Sequence, residues 1–168
     1  FGVVDPCDAV RQQMVSAGMA LIDAYGASQA TALLPIFEGV LETPAARGED
    51  VRAFDWRREG TVVLMGSTAR HLDITDPQIL SIMDRLLDAL STPSGPVQRA
   101  VALCMVPLMP ACKSQAGEYA DKLLNAALKG DDYGTRRGAA YGISALVKGL
   151  GIASLKQHGI MSALEQAA

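Results

Sequence analysis

The 168-residue chain is 49% hydrophobic but only 5% aromatic, with a formal net charge of -3 and a pI near 5.3. A chain of this size buries a core without disulfide or metal staples, and its Ala- and Leu-rich composition suits close-packed helices better than a sheet. The acidic balance excludes general electrostatic affinity for nucleic acid and leaves only local basic patches; the longest apolar run, Gly138 to Val147, is about half a membrane span.

From the N-terminus, Asp5-Pro6 pairs an N-cap with a favoured first-turn proline. The helical spacing of Val10, Met14, Ala17 and Leu21, then of Leu33, Leu34, Phe37 and Leu41, predicts a hairpin over about 6–42. Thr43 to Asp55 is the one long connection. A second hairpin, about 55–91, follows from Val62, Met65, Ala69 and Leu72, the cap at Asp76-Pro77, and Ile79, Ile82, Leu86 and Leu90. Thr92-Pro93-Ser94-Gly95-Pro96 separates it from a third, about 95–129, with stripes Val97, Val101, Cys104, Leu108 and Ala120, Leu124, Leu128. Pro107 and Pro110 remove amide donors late in its first helix and should kink or end it. Ala140, Ile143, Val147 and Leu150 mark the fourth, about 132–168.

These hairpins align on Arg11, Arg58, Arg99 and Arg137, at spacings of 47, 41 and 38 residues. A two-helix period near 40 is the signature of HEAT-type repeats, so the expected fold is an all-α HEAT-type α-solenoid of stacked helical hairpins. Phe1 is not an initiator Met and Ala168 falls inside a helical pattern, so an excerpt of a longer chain is expected.

Within the last hairpin, Gly134, Gly138 and Gly142 line one helical face, where the last two cost about 1 kcal/mol each against Ala. Close approach of a neighbouring helix offsets that cost through contacts a Cβ would block. Gly149 and Gly151 are placed to end the helix, Gly151 in a left-handed cap. The nearest dinucleotide-type match, Gly149 to Ser154, lacks the third glycine and follows a helix, and no P-loop occurs.

Arg57, Arg58, Arg136, Arg137, Lys148 and Lys156 form a candidate strip for an acidic or RNA partner. Its alternatives are a solvated outer face and, for Arg58 and Arg137, a structural ladder with Asp55 and Asp132. Cys7, Cys104 and Cys112 have no CxxC spacing and predict reduced, buried thiols. His71 and His158 are far apart, the carboxylates Asp84, Asp88, Glu118 and Asp121 have solvating spacings, and no nucleophile falls beside a base. The expectation is a protein that is not an enzyme, with no cofactor, metal, small-molecule substrate, membrane span or direct DNA binding.

The segment RRGAAYGISALVKGLGIASLKQ, Arg136 to Gln157, resembles the central HEAT region of the very large translational activators of the general amino-acid control kinase, which phosphorylates the alpha subunit of translation initiation factor two. ARHLD from Ala69, DALSTPSGPVQRAVA from Asp88 and PLMPACK from Pro107 extend the resemblance over residues 55 to 168; residues 1 to 50 match only as a generic hairpin. The resemblance implies a cytosolic scaffold that binds ribosomes and helps switch on the kinase in amino-acid starvation, with the ribosome, the kinase and an ABC-type ATPase as partners. A HEAT adaptor of the transport or phosphatase-scaffold type is the alternative.

Overall fold

A computed structural model describes residues 2–45, 47–48 and 50–167. The connection expected over Thr43 to Asp55 lies outside the described residues at positions 46 and 49, as do Phe1 and Ala168, and it is shorter than expected, since a helix capped by Asp50 already begins at Val51. The described residues are helices and loops without a strand: a 3-10 turn Gly2–Val4, α1 Asp8–Glu42, α2 Val51–Ala69, α3 Gln78–Ala89, α4 Gly95–Leu108, a 3-10 turn Met109–Cys112, α5 Ala116–Lys129, α6 Tyr133–Leu150, α7 Ser154–Gln157 and α8 Ile160–Ala167. They divide into two compact units, 1–73 and 74–168.

In the first unit α1 is helical from Asp8 to Glu42 without intervening coil, yet it does not run straight. The Arg11 guanidinium lies 3.8 Å from the Trp56 ring centroid, Gly18 packs on Leu64, Asp23 pairs with Arg70 and Gly26 packs on His71. These contacts climb α1 and α2 together, so the two run in the same direction. Arg58, however, donates 2.7 Å to the Leu41 carbonyl. A straight helix at 1.5 Å per residue would hold Leu41 about 45 Å from Arg11, far beyond the reach of an arginine two residues from Trp56. The chain thus reverses just after Gly26, and its second arm returns along α2. Leu34 and Leu41 on that arm are buried, with Ile22 and Ala30. Pro35, inside the second arm, forgoes one amide donor.

The C-terminal half of α2 is buried on nearly every side from Gly60 to Ala69. Two of its three hydroxyls are satisfied locally: Thr61 Oγ1 donates 2.7 Å to the Arg57 carbonyl and Thr68 Oγ1 2.9 Å to that of Leu64, whereas Ser67 Oγ is buried without a hydrogen-bond partner.

In the second unit, α3 and α5 carry strong apolar stripes, with Ile82, Met83, Leu86 and Ala120 fully covered. α4 ends at Leu108, one residue after Pro107, and continues as a 3-10 turn containing Pro110. The missing amide donors account for that ending. α6 packs through its glycines on α4, on α5 and on Leu90, the residue that ends α3. A Cβ at Gly138 would collide with the Leu90 carbonyl oxygen, and one at Gly142 would lie 2.7 Å from Leu90 Cδ1. Their low helix propensity is offset by backbone-close packing. Gly149 is also a packing glycine, 2.6 Å from the Val106 carbonyl at a virtual Cβ, rather than the helix end expected for it. Gly151 ends α6 at φ 92, ψ 162. That is positive-φ but extended backbone, open essentially to glycine alone, and not the left-handed cap expected.

Asp5, Asp50 and Asp76 each accept from the amide two residues on, at 2.8, 3.1 and 2.9 Å. Asp50 is the N-cap of α2, whereas α1 and α3 open on Cys7 and Pro77, so Asp5 and Asp76 lie just outside the cap positions expected for them and Pro6 and Pro77 precede the first turn.

Candidate partner-contact surface

Four long polar side chains near the starts of helices reach back to carbonyls of the preceding segment. Arg11 Nη1 donates 2.6 Å to the Asp5 carbonyl, Arg58 Nη1 2.7 Å to Leu41, Gln98 Nε2 2.7 Å to Thr92 and Arg136 Nη1 2.7 Å to Gly130. In three of the four the acceptor lies six residues back; at Arg58 the longer connection moves it to seventeen. The chemistry is the same each time: carbonyls at or past a helix end lack intrahelical partners, and a long side chain entering the next helix supplies the donor.

This sets the repeat register at Arg11, Arg58, Gln98 and Arg136. The alignment on Arg99 and Arg137 is therefore one residue late in the last two members. Along a helix one residue is a rotation of about 100°, which takes Gln98 to a fully buried position and leaves Arg99 exposed. Identity misled the alignment, because the interior donor in the third member is an amide and not a guanidinium.

Gln98 is a hub. Its Nε2 also donates 2.9 Å to Leu90 and 2.8 Å to Gly134, while its Oε1 accepts 2.7 Å from Arg137 Nε. Arg137 completes the link with Nη2 donating 2.7 Å to the Pro93 carbonyl, and its guanidinium lies 5.4 Å from the Tyr133 ring. The expected aspartate ladder is thus replaced by carbonyl and amide partners: Asp132 instead caps α6, accepting 2.9 Å from the Thr135 amide and 2.5 Å from its hydroxyl. Those bonds, chiefly the Thr135 hydroxyl, hold the Asp132 carboxyl below the usual range.

Of the candidate strip, Arg57 and Arg58 lie half-buried in the first unit and the other four in the second. Arg57 and Arg58 approach the Phe54 ring at 5.2 and 5.6 Å. Arg137 is half-buried in the Gln98 network. Arg136 keeps an exposed side chain beyond its bond to Gly130, and Lys148 and Lys156 are exposed. Gln98 was missed by sequence reasoning. The available signal was a glutamine adjoining the apolar stripe of Val97 and Val101, immediately before a loop-rich boundary.

His71 and His158 fall in different units. His71 packs on Gly26 with its Nε2 buried and unbonded, and His158 Nδ1 lies 3.8 Å from the Cβ position of Gly117. Asp84 accepts 3.3 Å from the Tyr119 hydroxyl, and burial, with Asp84 adding to it, raises both the Tyr119 pKa and that of Cys112, to about 11 for the thiol. Cys104 and Cys112 are buried and in no disulfide; Cys7, expected buried, is exposed because it sits at the cap position opening α1. Among the described residues no group of three or more His, Cys, Asp or Glu could hold a metal ion, and no helix is long and apolar enough to cross a membrane.

Residues 2–70 match the family model for stalled ribosome sensor GCN1 HEAT repeats. The chain is 45% identical over 158 residues to the human stalled ribosome sensor GCN1, covering 94% of this chain and 6% of that protein. It is 40% identical over 165 residues to protein ILITYHIA of Arabidopsis thaliana, covering 98% and 6%. With the eIF-2-alpha kinase activator GCN1 of Saccharomyces cerevisiae it shares 38% identity over 171 residues, covering 99% and 6%. The chain thus spans about 6% of the length of these curated relatives; the names of the human and yeast proteins describe a sensor and an activator rather than an enzyme. No solved structure matches.

Proposed function

The chain is a HEAT-repeat segment of the GCN1 family, and on that premise we propose that it serves as a non-catalytic scaffold segment of a cytoplasmic, ribosome-associated activator of the initiation factor two alpha kinase. The observation that carries this reading is 38–45% identity running across 94–99% of the chain to human, plant and yeast relatives, two of them named for stalled-ribosome sensing or kinase activation. In this reading the repeats are the hairpins about 6–42, 55–91, 95–129 and 132–168, each opened by one of the four clasp residues Arg11, Arg58, Gln98 and Arg136. The ribosome and the kinase are the partners of the whole protein, with an ABC-type ATPase besides.

The contact strip is narrowed to the exposed Arg136, Lys148 and Lys156, since Arg57, Arg58 and Arg137 are half-buried and the last two are committed to backbone and amide partners, whereas Arg136 gives only Nη1 to the Gly130 carbonyl. The test is ribosome co-sedimentation of the full-length parent with Arg136, Lys148 and Lys156 reversed to Glu. Phosphate contacts release counterions, so three lost contacts should lower ribosome affinity at least about tenfold and flatten its salt dependence. Sedimentation identical to the unaltered parent across salt would remove the strip from the ribosome contact.

A further inference from the structure

Helices α4 and α6 hold Arg99, Arg136, Arg137 and Lys148 and no carboxylate, in a chain whose net charge is -3. The acidic side chains of the neighbouring helices, Asp84, Asp88, Glu118 and Asp121, are on α3 and α5. α4 and α6 lie side by side and run in the same direction. The Arg137 guanidinium stands beside Gly95 near their starts, and Gly149 meets Val106 and Met109 near their ends. At matching heights α4 exposes Arg99 and Leu103, and α6 exposes Ala140, Ser144 and Lys148.

The chemistry of this face is mixed. Leu103, one turn beyond Arg99, is 63% exposed; Ile152, just past the end of α6, is 79% exposed. A phosphate backbone would satisfy the cations and leave the leucine bare. A segment with carboxylates and apolar side chains on one helical face satisfies both, and the small Ala140 and Ser144 leave room for it to lie against α6. The carboxylates nearest this face, Asp131 and Asp132, lie at the N-terminal end of α6, and Asp132 is engaged in capping. They bound the favourable region toward Leu103 and Lys148.

We propose that the outer face of α4 and α6 docks an amphipathic acidic segment of a partner protein, its carboxylates on Arg99 and Lys148 and its apolar side chains on Leu103. The proposal shares only Lys148 with the contact strip and assigns it a carboxylate of a protein partner instead of a ribosomal phosphate.

The test is fluorescence anisotropy with residues 1–168 and three labelled probes: a synthetic helix-forming peptide with Glu on one side and Leu along the other, the same peptide with Leu replaced by Ser, and a single-stranded RNA oligonucleotide. The Glu-Leu peptide is expected to bind best. Leu103→Ser and the pair Arg99→Glu, Lys148→Glu should each weaken it about tenfold or more, the size expected for losing a central apolar contact or a desolvated charge pair. All these side chains are exposed, so the variants keep the parent's circular dichroism and unfolding midpoint. Failure of the Glu-Leu peptide to bind, or binding unchanged by every substitution, overturns the proposal. So does tighter binding of RNA that is indifferent to Leu103→Ser. Ribosome co-sedimentation of the full-length parent carrying Leu103→Ser separates the two readings, because a ribosome contact made only through cations is untouched by that change while peptide docking is lost.

Discussion

Gln98 gathers four partners on one buried amide: three carbonyls and a guanidinium. Gln98→Leu keeps the volume and removes the pairing, leaving carbonyls of Leu90 and Gly134 without this donor and Arg137 without its acceptor. Each buried polar group so orphaned costs roughly 1–3 kcal/mol, so the variant should lose about 3 kcal/mol in urea unfolding. A loss below about 1 kcal/mol would show that water takes over the pairing. Gly138→Ala pits a gain in helix propensity of about 1 kcal/mol against a Cβ driven into the Leu90 carbonyl. The colliding atom is backbone and cannot swing aside, so overpacking wins and the variant is destabilised by about 1–3 kcal/mol. The close-approach role of Gly138 and Gly142 was legible from their spacing alone. What lay against them was not, because a helix pattern does not name the carbonyl it meets.

Titration supplies two further tests. The Asp132 carboxyl is held down by Thr135 in the folded chain. A carboxyl with a depressed folded pKa stabilises above its unfolded pKa, and that contribution is lost as pH falls through the folded value. The stability difference between the protein and Asp132→Ala should therefore be present at neutral pH and shrink on acidification below about pH 4. A difference independent of pH would assign the cap to Thr135 alone. Cys112 runs the other way: its thiol is raised to about 11 by burial first and by Asp84 second. Its stabilisation is complete below the unfolded thiol pKa and declines as pH rises toward the folded one. At pH 8, Cys7 should react with a thiol reagent at once, while Cys104 and Cys112 react only on unfolding. Three equally fast thiols would contradict the buried positions.

The helices themselves show what periodicity carries and what it omits. Apolar spacing and the Asp-Pro pairs located the starts of α1 and α3, and Pro107 located the end of α4. The reversal inside α1 has no loop at all, only Gly26 and Ser28, so punctuation could not place it. The register of the clasp residues shifted at Arg99 and Arg137, since a tandem Gln-Arg or Arg-Arg offers two candidates a third of a turn apart and only the carbonyl each one reaches tells them apart. Arg58→Ala removes the donor to Leu41 that holds the second arm of α1 against α2. Amide exchange around Leu41 should then speed severalfold, with the amides of α5 unchanged, because opening of one element need not unfold the rest. Equal acceleration in both places would mean that the clasp serves global stability instead.

At the level of the chain, the Arg136 to Gln157 segment carried the resemblance that relatives in animals, plants and fungi bear out, whereas residues 1 to 50, read only as a generic hairpin, lie from residue 2 onward within the 2–70 stretch that the family model matches. The contact surface was only half legible. Lysines and arginines are visible in a sequence; their prior commitments are not. Arg58 and Arg137 read either as partner contacts or as a ladder with Asp55 and Asp132, and a sequence does not show that carbonyls and Gln98 take them instead. The scaffold reading places Lys148 and Lys156 on the ribosome-facing exterior and Lys122, paired with Asp88 at 2.8 Å, away from it. Lysine-acetylation footprinting of the full-length parent, free and on ribosomes, measures this directly. Lys148 and Lys156 should be protected on binding while Lys122 keeps its reactivity; equal reactivity of Lys148 and Lys156 in both states, on ribosomes shown to carry the protein, would contradict it.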